Sequence, residues 1–293
     1  MIGQPGVLNI PDIPSDVPDV HTDARGIVAP DTGLQHFGLD RAAPSTYVGR
    51  VVDRYWLATW DLPPDQPFTQ RLWPHPVVNI VVEDGRAMTG GVARRMFVRQ
   101  LAGQGEGFGI MFRPAGFRAL IDQPMNEMPE SVAMEGALAP LGRDLEKAVV
   151  GGVGRPMTTR AAMVDELLAA AVPSDVGEVE GMAELVERIA ADRSLVRVGQ
   201  VAALAACGER QLQRRFADLV GLSPKAVLRR YRLFDAAEQA RQLQSVDWAG
   251  LAVQLGYSDQ SHLTREFTTA MGMPPATYAR MCAAARRSPD SAS

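Results

Sequence analysis

Residues 256–267, GYSDQSHLTREF, gather Ser258, Asp259, Ser261, His262, Thr264 and Arg265 in one short segment. Serine, histidine and aspartate are the parts of a hydrolytic triad, in which an imidazole takes the proton of an attacking hydroxyl and a carboxylate orients the imidazole. The spacing opposes that chemistry. Ser261 and His262 are adjacent, so on a helix their side chains diverge by about 100°, and no strand–turn–helix elbow presents the serine. The other chemistry open to these residues is recognition. Glutamine and arginine carry the donor patterns that pair bidentately with adenine and guanine edges, and Leu263 and Phe267, four apart, would bury the opposite side of a helix.

The other chemistry-bearing motifs weaken on inspection. GQGEGFG (103–109) has Phe108 where a dinucleotide loop needs its third glycine and lacks a βαβ setting, so a β-hairpin or barrel turn is expected there. The two lysines, Lys147 and Lys225, follow no phosphate-cradling loop. His21, His36 and His75 are scattered without metal-ligand spacing, and Cys207 and Cys282 lack a CxxC pattern. No metal, no cofactor and no catalytic residue is expected, and the chain is read as a non-enzyme. Trp56, Trp73 and His75 are large or ring-bearing residues in β-rich sequence; core or rim positions account for them, and they are also the candidates for lining an effector pocket.

The elements that must position the recognition residues are visible as an internal repeat. LQRRFADLVGLSP (212–224) matches LTREFTTAMGMPP (263–275) at an offset of 51, pairing Leu212 with Leu263, Arg214 with Arg265, Phe216 with Phe267 and Gly221 with Gly272. Upstream, VAALAA (201–206) matches LAVQLG (251–256) at an offset of 50. Each copy is a short apolar helix, a tight turn and a second helix with leucine and phenylalanine on its inner face, the helix-turn-helix arrangement that delivers its second helix to the major groove. Arg210, Gln213 and Arg214 project from the first copy, and Gln260, Ser261, His262 and Arg265 from the second. Ser223 can cap, and Pro224 start, a helix of about 20 residues joining the copies. At ~1.5 Å per residue it spans ~30 Å, close to the ~34 Å between successive major-groove faces. Val227, Tyr231 and Phe234 would pack this helix, leaving Arg229, Arg230 and Arg232 for phosphate or solvent.

Together these segments closely resemble the DNA-binding domain of AraC/XylS-family transcriptional regulators over about 100 residues. The resemblance implies a seven-helix domain with two helix-turn-helix units and base-contact roles for Arg210, Gln213, Arg214, Gln260, Ser261, His262 and Arg265. One departure stands in the first copy, where Ala206-Cys207-Gly208 replaces the family's Gly-led turn ending in serine.

Composition agrees with a chain in two parts. Residues 184–287 carry 15 Lys or Arg against 10 Asp or Glu, net +5, and the remainder 15 against 24, net −9. The expected class is α+β: a loosely ordered proline-bearing arm (1–40), an antiparallel β sandwich or barrel of cupin-like type (41–130), a helical linker and dimerisation region (131–180) with a hinge near 172–181, the AraC-type DNA-binding domain (181–287) and a tail (288–293). The β-rich part more loosely resembles the sensor domains that precede this module. The expected partners are double-stranded DNA, a small-molecule effector, a second copy of the chain and, for an activator, RNA polymerase. With no signal peptide and no apolar run long enough to span a bilayer, a cytoplasmic location without membrane is expected. The alternatives are an enzyme with a β-barrel catalytic domain and helical targeting module, or a ligand-independent repressor.

Overall fold

A computed structural model describes residues 26–243 and 246–287. The arm before Gly26, His21 and the tail from Ser288 lie outside the described residues.

The first half is antiparallel β. Strands β1 (Gly38–Ala42), β2 (Val52–Asp61), β3 (Phe68–Leu72), β4 (Asn79–Glu83), β5 (Arg86–Thr89), β6 (Phe97–Leu101), β7 (Gln104–Phe112) and β8 (Val132–Ala133) form a six-stranded sheet, β1-β2-β7-β4-β5-β8, and a separate β3-β6 ribbon. Alternation decides the buried face: Tyr55, Leu57, Ile80, Val82, Phe108, Ile110 and Phe112 are all in the core. GQGEGFG is not the expected turn; from Gln104 onward it is strand β7. Trp60 lies opposite Gly105 and Trp56 opposite Gly109. A Cβ on Gly105 or Gly109 would come within 2.4 Å and 1.8 Å of those indoles, so the glycines are seats for the two rings.

The residues expected as an arm and as a linker are both built into this half from Gly26 on. Ile27 bridges to Leu72, and α1 (Pro30–Gly33) follows it. Helices α2 (Ala139–Gly151) and α3 (Met157–Ala171) pack on the sheet through Leu145, Val149, Val164 and Leu168. Buried Arg160 of α3 grips Glu106 with two bonds, at 2.6 and 3.1 Å, and Tyr55 donates to Asp165 at 2.7 Å. The expected hinge is tied down too: Val172 and Val176 are buried, and Tyr47 donates to the Val172 carbonyl at 2.9 Å. Arg50 forms a two-pronged pair with Glu180, as Arg113 does with Glu187. Local composition suggested a free hinge, but these partners lie more than 70 residues away in sequence.

The second half contains seven helices among the described residues: α4 (Gly177–Ala191), α5 (Val198–Leu204), α6 (Glu209–Arg215), α7 (Pro224–Gln242), α8 (Trp248–Gln254), α9 (Gln260–Met271) and α10 (Pro275–Arg287). Helix α6 continues as a π-helical turn over Phe216–Val220. Helix α7 is the centre of the molecule, with both sides covered: Val227, Tyr231, Leu233, Phe234, Ala236 and Ala240 are buried. Among the described residues no helix is long and apolar enough to cross a membrane.

Candidate nucleic-acid interface

Each recognition helix is held by the residues the repeat conserves. Leu212, Phe216, Leu263 and Phe267 are all 0% exposed, a burial worth roughly 1.5–3 kcal/mol per side chain. The two turns are equivalent bond for bond. Cys207 N–H donates to the Ala202 carbonyl at 3.0 Å and Tyr257 N–H to that of Ala252 at 2.9 Å; Ala206 N–H reaches Ala203 at 3.1 Å and Gly256 N–H reaches Val253 at 3.1 Å. Both turns need a left-handed residue, which is Ala206 at φ 48° in the first and Gly256 at φ 79° in the second. The departure noted in the sequence therefore leaves the turn's geometry intact at the cost of holding an alanine where glycine is favoured. Each recognition helix then ends on a left-handed glycine, Gly221 at φ 81° and Gly272 at φ 71°.

The cluster that suggested a triad is a helix cap. The Asp259 carboxylate accepts the His262 backbone N–H at 2.7 Å, Ser258 Oγ lies 3.1 Å from Asp259 Oδ2 and 3.2 Å from His262 Nδ1, and the Tyr257 ring meets the imidazole edge-on at 5.2 Å. The His262 N–H bond, followed by that from Ser258, holds the Asp259 carboxyl below its usual range. Ser261 makes no contact with the imidazole in this network; the hydroxyl beside the ring is that of Ser258, which is shared with the capping carboxylate. A charged cap here satisfies the orphan donors of α9 and fixes where its first turn points.

That first turn presents Gln260 and Ser261 exposed and His262 half-buried, with Arg265 exposed one turn on; Arg210, Gln213 and Arg214 are likewise exposed on α6. Neither Arg210, Arg214 nor Arg265 forms an ion pair among the described residues. The structure thus brings these residues out on two equivalent helices, and no part of the β half covers them. Ser223 caps α7 by accepting the Ala226 N–H at 3.2 Å, with Pro224 at the first position.

The phosphate candidates fare differently. Arg229 is half-exposed but paired with Glu266 of α9 at 2.6 Å, a link between connecting helix and second recognition helix. Arg230, expected at the backbone, is 5% exposed and faces the other way. Its guanidinium lies 5.2 Å from the Trp73 ring centroid and donates to the His75 carbonyl at 3.4 Å, and desolvation lowers its pKa to about 10. Arg232 is also buried, paired with Asp235 and donating to the Ile189 and Asp192 carbonyls that close α4. The expectation failed because a one-sided helix was assumed, whereas the β half covers Arg230 and the end of α4 covers Arg232.

The effector candidates do not converge. Trp56 packs on Gly109 and donates to Asn79 at 3.2 Å within the sheet. Trp73 and His75 instead form the seam with α7, where His75 stacks on Phe234 at 4.8 Å between ring centroids. Two further contacts had no sequence signal. Arg118 pairs with Asp218 at 3.2 Å, and a Cβ on Gly221 would lie 3.0 Å from the Met125 carbonyl. With Met96 against Gly272, the β half touches the end of both recognition helices.

Comparison with known proteins agrees with this division. Residues 201–281 match a family described as a helix-turn-helix domain, and residues 40–134 match a domain of unknown function (DUF6597). Residues 201–281 thus form a helix-turn-helix domain of AraC type, as the resemblance implied. Among solved structures, ToxT from Vibrio cholerae covers 84% of this chain and 98% of its own at 10% identity and a TM-score of 0.37. An unsaturated-fatty-acid-bound ToxT gives 84%, 95%, 9% and 0.37, and ToxT bound to (E)-4-(8-methylnaphthalen-1-yl)but-3-enoic acid gives 84%, 99%, 11% and 0.36. A search of curated proteins gives no match.

Proposed function

We infer that the protein is a sequence-specific transcription regulator that lays both recognition helices on one face of a duplex. Arg210, Gln213 and Arg214 read one half-site, and Gln260, Ser261 and Arg265 the other; His262 serves the cap of α9 and presents only its outer edge. The observation that carries this is the pair of bond-for-bond equivalent turns, each followed by an exposed recognition face, joined by a helix of 19 residues. At ~1.5 Å per residue that helix is ~28 Å long, near the ~34 Å repeat of the groove. Footprinting on DNA upstream of the protein's own gene tests it. Two protected patches about one helical turn apart are expected for one chain, and four for a homodimer; absence of any protection, with random duplex bound equally well, refutes sequence-specific reading.

Control by an effector is supported by the seam at Trp73. Trp73 Nε1 is buried with no acceptor among the described residues, Arg230 stacks on its ring and meets no carboxylate among them, and Trp73 lines a small cleft of about 20 Å³, room for about one water, with Ile27, Phe234, Glu238, Arg241 and Tyr278. An anionic small molecule that opened this seam would satisfy both donors. Its binding would alter how the β half braces α7, the coupling an effector needs. Saturable thermal stabilisation of the full chain by a carboxylate or phosphate, lost in Arg230→Met, is expected; no stabilisation across such a panel returns the ligand-independent alternative. Action in the cytoplasm, and on RNA polymerase if the protein activates, follow from the same reading.

A further inference from the structure

Residues 86–99 hold four arginines, Arg86, Arg94, Arg95 and Arg99, and no acidic residue, inside the part of the chain whose net charge is −9. Arg99 is taken up by Glu83. Arg94 and Arg95 are exposed and form no ion pair among the described residues.

Their loop is anchored at both ends. Gly90 packs so closely that a Cβ would lie 2.1 Å from the Glu130 carbonyl oxygen, Gly91 N–H donates to the Pro129 carbonyl at 2.6 Å, and Val92 is buried. At the other end half-buried Met96 packs on the helical half, with its Cε 3.1 Å from where a Gly272 Cβ would be. Gly272 is the left-handed residue that closes α9. Arg94 and Arg95 therefore project from a fixed loop at the far end of the second recognition helix.

Helix α9 has 12 residues, ~18 Å at ~1.5 Å each, whereas the major groove is ~12 Å wide. With its N-terminal residues on base edges, its C-terminal end has cleared the groove wall and stands beside phosphates. We propose that Arg94 and Arg95 grip the DNA backbone next to the half-site read by α9, so that the β half extends the DNA interface as well as bracing it. The equivalent end of the first recognition helix makes the contrast. Gly221 is also met by the β half, at Met125, but the exposed neighbours there are Asn126 and Glu127. One docking site offers charge to the backbone and the other does not, which makes the two half-sites unequal in their dependence on the β half.

This rests on the DNA-binding function proposed above, and one experiment separates the two. Full-length protein is titrated onto a fluorescent duplex of unselected sequence by anisotropy, across KCl from ~50 to ~300 mM. If wild type fails to bind even at the lowest salt, the DNA-binding function itself falls. If it binds, the R94Q/R95Q double variant should reduce the slope of log K against log salt by roughly 1–2, since each phosphate contact contributes about 0.9. The matching affinity loss is about 10- to 60-fold at ~0.1 M, shrinking toward 1 M. R94K/R95K should keep the wild-type slope. R143Q/R155Q, which removes the same charge from exposed positions on α2 and the α2–α3 turn, should leave it unchanged. An unaltered slope in R94Q/R95Q, or an equal change in R143Q/R155Q, overturns the proposal, and an unchanged circular dichroism spectrum shows that the variants are folded.

Discussion

Substituting Ala206 by glycine should stabilise the protein, while the reverse change at Gly256 should destabilise it, although the two residues hold the same place in two copies of one turn. Ala206 sits at φ 48°, where an L side chain costs roughly 1–2 kcal/mol. Glycine removes that cost and gives back about 0.4–1 kcal/mol through the greater freedom of the unfolded chain. The net gain is about 0.5–1 kcal/mol. Gly256→Ala reverses these terms and adds a collision, because the new Cβ would lie 2.9 Å from Val196 Cβ. A Cβ cannot rotate away, so overpacking of roughly 1–3 kcal/mol is added, for a loss of about 2–4 kcal/mol. Thermal unfolding should show Ala206→Gly melting about 2 °C higher and Gly256→Ala about 5–15 °C lower. DNA affinity of Ala206→Gly should be unchanged, since the turn already has its geometry. A lower melting temperature for Ala206→Gly, or equal losses in both variants, would refute the assignment of left-handed strain to Ala206.

Arg265→Ala should weaken binding to the footprinted site by about 1–3 kcal/mol while leaving binding to random duplex nearly intact; equal losses on both would show a phosphate contact instead. Arg230→Met keeps the apolar stem against Trp73 and removes a cation that desolvation holds at a pKa of about 10. It should stabilise the apo protein by roughly 1 kcal/mol, less than the shift alone implies because the stacking on Trp73 is lost. A loss above ~1 kcal/mol in urea unfolding would mean that the guanidinium is net favourable. Burial raises the hydroxyl pKa of Tyr55, Tyr257 and Tyr278, so above pH ~10 the unfolded chain releases three protons that the native state keeps. Stability should then fall with rising pH, by about 1.4 kcal/mol per unit for each tyrosine. Arg230 opposes one of the three, because the native state sheds its proton before the unfolded state does. Tyr257→Phe, which removes a hydroxyl that has no partner among the described residues, should flatten the alkaline limb by one tyrosine's share; an unchanged slope would place that hydroxyl in solvent.

The DNA-binding half was legible because its determinants are local and duplicated. Leu212 and Phe216, Leu263 and Phe267, the turns before them and the Ser223-Pro224 start of α7 lie within a few residues of what they control, and the second copy confirmed each assignment. The serine, aspartate and histidine of residues 258–262 resolved the same way: the copy kept the packing residues and not the triad-like ones, and in the structure Asp259 caps α9.

What the linear order did not carry is the set of contacts between residues far apart in sequence. Arg230 reads as one more exposed arginine until Trp73 and His75, about 155 residues earlier, close over it. The segment near 172–181 reads as a hinge until Tyr47 and Arg50 bind it, and the glycines of β7 read as a loop until Trp56 and Trp60 settle on them. Helical and strand periodicity report which face of an element is apolar. They do not report that a second surface, assembled from distant strands, will bury the polar face as well, because that burial is fixed by the packing of the whole chain rather than by any window of it.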